Sequence, residues 1–209
     1  MKISRIKLTL GFIAVLVTFF LVTFSNNWGN ATAKKTTEDL EPVIKSVKHN
    51  PIEARKHCPA IIKKLRDSIT KLEGKDVEIR RLKIIKLISD CELASQQYKS
   101  ASSSLADLST AQPQVARWHG LRAEVLFKLG NLNEAIREAR LAVQLEPLNF
   151  QWKVQEARVL AQTAMRNRTK RAYEAAIKIA PYDQVSVLQE ELATFLESTE
   201  PKLSDESIE

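Results

Sequence analysis

Glycine and aromatic residues are scarce in this chain: five glycines, three tryptophans, three tyrosines and seven phenylalanines among 209 residues. A β-rich fold of tight turns and aromatic cross-strand pairs needs more of both, so the scarcity argues for helices. Histidine is limited to His49, His57 and His119, and cysteine to Cys58 and Cys91. The pair His57-Cys58 has no second pair at ligand spacing, so a metal site is not expected. Gly-rich phosphate loops and the GxSxG and HExxH patterns are absent. Paired carboxylates such as Glu190-Glu191 fall on a helix of ordinary surface character. The reading is therefore of a protein that is not an enzyme, with no cofactor. Acidic residues are missing before Glu38, and Lys2, Arg5 and Lys7 supply three of the formal net charge of +7, leaving +4 for the rest. That is too little to imply nucleic acid.

What is present begins with those three cations and the uncharged stretch Leu8–Phe24, seventeen residues long. This is short for a membrane span of ~20 residues and long for the apolar core of a signal peptide, about 7–15. Trp28 stands where an interfacial aromatic would, which favours a retained anchor. Ala31-Thr32-Ala33 offers a small-x-small cleavage site, which leaves a cleaved peptide as the alternative. On either reading the N-terminus faces the cytoplasm and the body is exported. Residues 1–30 are thus read as a signal anchor and 31–37 as a tether.

The middle of the chain repeats. Pro113, Pro147 and Pro181 are 34 residues apart, and the same shift relates Ala101 to Ala135, Ala123 to Ala157 and Ala142 to Ala176. A fixed period of this size marks a solenoid of helical units. In Ala116–Asn149 a first helix ends at Gly130, and a second opens at Asn131 with Glu134 three residues on, a capping-box pattern. The second helix stops at Pro147. The order Ala123, Gly130, Ala135, Ala142, Pro147 resembles the tetratricopeptide repeat, in which small residues let neighbouring helices approach. The unit 150–183 keeps Ala157, Tyr173, Ala176 and Pro181 but has Thr169 and Ala164 where alanine and glycine are expected. The unit 82–115 keeps Ala101, Leu105 and Pro113.

A helical region, 38–81, precedes the repeats. Thr36 with Asp39 reads as a capping box for a short helix from Glu38 to Lys48, and Asn50-Pro51 as the next start signal. Pro59 is expected to bend or restart that helix. Ile62, Leu65, Ile69 and Leu72 form an apolar stripe facing Ile84, Ile85 and Ile88 across a turn at Gly74-Lys75. Cys58 and Cys91 are equidistant from that turn, and two cysteines allow one pairing, so a disulfide is expected, with buried free thiols as the alternative. Asp183 is read as the cap of a last helix, 183–197, covering the open end of the stack, and 198–209 as a disordered acidic tail.

The fold class expected is all-α: a short solenoid of about three helix pairs over 82–181, with a preceding hairpin, a capping helix and an N-terminal membrane helix. The resemblance implies a concave face lined by first helices, where partner segments dock. Carried over, the face comprises Lys83, Lys86, Asp90, Arg117, Gly120, Glu124, Phe127, Lys128, Gln151, Val154, Arg158 and Gln162. Lys86 fits the first basic place of a carboxylate clamp, but Asp90, Leu121 and Gln151 depart from it. A rival surface is the basic face Lys63, Lys64, Arg66, Arg80 and Arg81, suited to a membrane or polyanion. The architecture resembles membrane-anchored bacterial accessory proteins of this repeat family. That implies a scaffold or assembly factor for envelope proteins, single-pass in the inner membrane with its body in the periplasm, or secreted there after cleavage.

Overall fold

The computed structural model describes residues 31–199 apart from 75 and 164. The stretch Leu8–Phe24 and most of the acidic tail lie outside the described residues. Among the described residues there are helices and no strands, and no helix is long and apolar enough to cross a membrane. The chain divides into two compact units, one ending at Gln97 and the other beginning at Tyr98.

The first unit holds α1 (31–47), α2 (Pro51–Ile69) and α3 (Val77–Ala94). Helix α1 covers the residues expected as a tether. Ala33 and Thr37 are buried there. Thr36, which suggested a cap, turns its hydroxyl back onto the Thr32 carbonyl at 2.9 Å, and its neighbour Thr37 does the same to Lys34 at 2.7 Å. Their polarity is thus satisfied inside the helix rather than at its end. Asn50 caps α2, its side-chain oxygen accepting from the amides of Ile52 and Glu53 at 3.1 and 3.3 Å, with Pro51 in the first turn. The helix neither stops nor restarts at Pro59. Both Pro59 and Arg55 are exposed, so the Arg55 carbonyl that loses its helical donor faces water.

Cys58 and Cys91 form a disulfide with their Cα atoms 5.5 Å apart. It sits in a core with Ala54, Ile62, Leu65, Ile84 and Ile88, the facing stripes read from the sequence. Glu92, fully buried beside Cys91, accepts a hydrogen bond at 3.1 Å from Arg66. After α3 the chain leaves through Gln96 at φ 60°, and the Gln97 amide closes onto the Glu92 carbonyl at 2.8 Å.

The second unit contains α4 (Tyr98–Ala111), α5 (Ala116–Lys128), α6 (Leu132–Leu145), α7 (Phe150–Ala161), α8 (Arg166–Ile177) and α9 (Tyr182–Ser198). Each helix packs on the next, and α5 also touches α7. That skipping contact is what stacking of successive helix pairs produces. The expected unit 82–115 is divided, because α3 belongs to the first compact unit and α4 to the second.

Local signals explain the turns. Gly130 takes φ 78° and lets the Asn131 amide reach the Leu126 carbonyl at 2.9 Å, a glycine-terminated helix end. The capping box expected at Asn131 does not form: its side chain makes no cap bond. Glu134 instead lies 3.9 Å from both Arg122 and Arg137. Asp183 is not a cap either. It falls in the first turn of α9, behind Pro181, where a carboxylate meets the positive end of the helix. Thr169, in place of alanine, is fully buried because its hydroxyl donates to the Met165 carbonyl at 3.2 Å.

The disulfide closes a loop of 33 residues of separation, so Cys58→Ser with Cys91→Ser should lose about 3–4 kcal/mol. Urea unfolding of the first unit, with and without reductant, checks this. The double variant should be insensitive to reductant.

Candidate functional site

Helices α5 and α7 with the first half of α9 enclose a concavity of about 490 Å³. The repeat period explains why these three share a face. Leu121, on α5, is one period before Gln155 on α7, and Val154 is one period before Leu188 on α9. All four line the concavity. Helix α9 therefore stands where the first helix of a further unit would.

Six of the residues expected on the face come together here: Glu124, Phe127, Lys128, Gln151, Val154 and Arg158. The apolar part consists of Leu121, Phe127, Phe150, Val154 and Leu188, and the polar part includes Glu124, Lys128, Gln151 and Gln184. The Lys128 ammonium lies 5.9 Å from the Phe127 ring centroid, which keeps the cation at the apolar edge.

The other six are elsewhere. Gly120 is buried beneath Trp152, and an added Cβ would come within 2.4 Å of the indole ring. Its carbonyl accepts from the Gln155 amide at 2.7 Å. Gly120 is thus a helix-contact residue. Arg117 sits 5.7 Å from the Trp118 ring, and Gln162 follows α7 as its C-cap, both outside the concavity. Lys83, Lys86 and Asp90 belong to the first unit. Lys83 approaches Glu41 of α1 at 3.9 Å and Asp90 approaches Lys48 at 3.7 Å, so α1 engages side chains that the repeat phase assigned to a binding face.

Arg158 was expected as a groove cation. Glu191 of α9 already holds it through two hydrogen bonds, Nε to Oε2 at 3.0 Å and Nη2 to Oε1 at 2.6 Å. Tyr173 of α8 donates to the same carboxylate at 3.2 Å. The guanidinium's hydrogen bonds keep the Glu191 carboxyl below its usual range. Burial, and next the Glu191 charge, push the Tyr173 phenol up to about 12. The trio ties α7, α8 and α9 together at the edge of the concavity.

The histidines are structural in their contacts. His119 is buried, with Nδ1 2.7 Å from Glu138 and Nε2 3.0 Å from the Pro113 carbonyl. His57 lies 3.1 Å from Glu53. Among the described residues no cluster of histidine, cysteine and carboxylate suits a metal. On the basic face, Lys63 and Lys64 are exposed. Its arginines have partners: Arg66 with Glu92, Arg80 with the Glu73 carbonyl and Arg81 with Glu78.

Sequence reasoning missed Trp152, which roofs Gly120, and the α9 residues Gln184 and Leu188. The signal for the latter was the period, which runs one half-unit further than three helix pairs. Gly120→Ala sets overpacking against Trp152, about 1–3 kcal/mol, against a helix-propensity gain of about 1 kcal/mol. We expect a net loss of ~1–2 kcal/mol in denaturant unfolding, turning neutral or stabilising when Trp152→Ala is also present. The Tyr173 titration gives a second test. Well below pH 10 neither the folded nor the unfolded phenol is ionised, so stability does not change with pH through it. Between pH 10 and about 12 the unfolded phenol ionises first, so stability falls as pH rises. A phenolate absorbance step near the top of that range should disappear in Tyr173→Phe.

No family model matches the sequence, and no curated protein matches it significantly. Solved structures do match. The TPR2B domain of yeast Sti1 in its pHsp70 complex superposes with a TM-score of 0.52 at 16% identity, covering 56% of this chain and 97% of that one. The first TPR of Spaghetti (RPAP3), bound to the HSP90 peptide SRMEEVD, gives 0.51 at 17% identity over 56% and 94%. MamA from AMB-1 gives 0.54 at 18% identity over 79% and 96%. Helix pairs on a 34-residue period, the stacked contact of α5 on α7 and these superpositions agree: the chain has the tetratricopeptide-repeat fold.

Proposed function

We propose that this protein is a non-enzymatic scaffold that docks a segment of a partner protein in the concavity of α5, α7 and α9. The observation that carries the reading is the concavity's make-up, an apolar floor including Phe127, Val154 and Leu188 edged by Lys128, Gln151 and Gln184. Such a surface takes apolar side chains of a peptide into its floor and pairs its backbone and charges at the rim. The Sti1 and RPAP3 structures, whose partners are an Hsp70 and an HSP90 peptide, support it by likeness of fold. Because Glu191 occupies Arg158, Lys128 is the cation assigned to the partner. Three helix pairs or fewer make a short groove, suited to one segment.

The setting proposed is the outer face of a bacterial-type inner membrane, with Leu8–Phe24 as anchor and the body acting in envelope assembly. The buried disulfide supports an oxidising compartment. A second reading, adhesion to a membrane or polyanion, draws on Lys63 and Lys64, both exposed on α2.

Site-specific photocrosslinking from Gln151 in intact membranes separates the two. Under the scaffold reading, Phe127→Ala or Lys128→Glu each weakens capture of a discrete partner by about tenfold, a loss near 1.4 kcal/mol. Lys63→Glu with Lys64→Glu leaves it unchanged. The opposite pattern, with steep salt dependence, selects the second reading and sinks the first.

A further inference from the structure

The first unit contains a cavity of about 190 Å³ between the start of α1 and the first turns of α3, which the groove reading does not use. Lys34, Arg80 and Lys83 line it, with Glu38 the acidic residue among its walls, above an apolar floor that includes Leu72 and Ile84. The ammonium groups are loosely held. Lys34 is 3.9 Å from Glu38 and Lys83 is 3.9 Å from Glu41, with the lysine side chains 74% and 56% exposed. Either can turn inward at little cost, since exposed pairs of this kind contribute little. Arg80 is different. Its Nη2 donates to the Glu73 carbonyl at 3.2 Å, while its Nε is buried with no hydrogen-bond acceptor. The guanidinium stays charged at any pH the protein meets, and phosphate suits the arginine fork.

We propose that this cavity is a binding site for a phosphate-bearing anion, gripped by Arg80 and closed by Lys34 and Lys83. Two sources share that chemistry, a phospholipid headgroup and free phosphate. The apolar floor favours an esterified phosphate carrying carbon substituents. Position favours a lipid. Lys34 lies ten residues beyond Phe24, the last residue of the proposed anchor, and ten residues span at most ~36 Å even fully extended. The lipid source rests on the anchor reading above, whereas the phosphate site stands without it and without the groove.

Full-length protein in alkyl-maltoside micelles provides the test, with thermal unfolding followed as ligand is added. The probes are dihexanoyl-phosphatidylglycerol, dihexanoylglycerol, which lacks the phosphate, and inorganic phosphate at matched ionic strength. Phosphatidylglycerol is expected to raise the Tm in a saturable way, as a ligand of the native state does. Dihexanoylglycerol should leave it unchanged. Arg80→Gln should weaken the effect roughly tenfold or more, as for loss of a hydrogen bond to a charged group. Lys34→Gln, which alters an exposed side chain and leaves the core intact, should weaken it severalfold, and Lys63→Gln with Lys64→Gln should leave it as it is. Stabilisation by inorganic phosphate through the same residues upholds the site and assigns it to a free anion. Stabilisation by phosphatidylglycerol alone upholds it and assigns it to a lipid. The proposal is overturned if neither anion shifts the Tm, if dihexanoylglycerol works equally well, or if the effect tracks Lys63 and Lys64.

Discussion

Backbone proximity at small residues is the interaction on which the second unit is built. Ala101, Ala123, Ala135, Ala142, Ala157 and Ala176 have no exposed surface at all, and they recur on the 34-residue period. A methyl group at a helix contact lets the two axes draw together until larger side chains on either side interdigitate. Gly120 carries this to its limit, because only the absence of a Cβ admits the Trp152 ring. The ring then packs α7 against α5, and the Trp152 Nε1 donates to Glu146 at 2.8 Å, beyond the end of α6. The spacing of α5 and α7, and hence the width of the concavity, follows from these contacts and owes little to the residues that face a partner.

Helix α9 is the last helix among the described residues, and it also shapes the concavity. Leu188 repeats the position of Val154, so the apolar floor continues onto α9, while Glu191 reaches back to Arg158 and Tyr173. Glu191 is partly exposed and charged, and its pairing holds α9 against both helices of the preceding pair. The same contact removes a cation from the face. That pairing trades an unpaired cation on the face for a fixed wall between α7 and α9. Among the described residues the unpaired charge left along the concavity is then Glu124 and Lys128 on α5, four residues apart on adjacent turns, so the face carries both signs of charge.

Much of the fold was legible in the sequence because it is written in spacing. The prolines and alanines located the helix pairs, and the symmetry of Cys58 and Cys91 about the turn located the disulfide. Capping was less legible. Asn131-x-x-Glu134 has the right residue types, yet the Asn131 amide that Glu134 would accept from already donates to the Leu126 carbonyl of α5, and a partner from another helix is invisible to a local pattern. Thr36 misled for a related reason, since threonine hydroxyls bond helix carbonyls as readily as they cap. The candidate site was half legible. Phase together with the resemblance brought Glu124, Phe127, Lys128, Gln151, Val154 and Arg158 to one concavity, but it could not tell that Gly120 would be roofed by Trp152 or that Glu41 and Lys48 would engage Lys83 and Asp90. Phase assigns a face to a helix; it does not say what else in the chain packs on that face.

The two units hold together by different means, and the difference bears on how each can serve a function. Stacked pairs share their cores, so each pair in the second unit is stabilised by the next and the last by α9. In the first unit a covalent staple joins two of the helices. The disulfide supplies that staple between α2 and α3, and the Arg66–Glu92 pair lies one residue further along α3. Helix α1 has no such bond. It is held by Ala33, Ile44 and Val47 in the core and by ion pairs to α3 of 3.7–3.9 Å. Because Ala33, Ile44 and Val47 belong to the same core as Cys58, Cys91, Ile84 and Ile88, α1 is joined to the braced pair of helices by apolar packing as well as by charge.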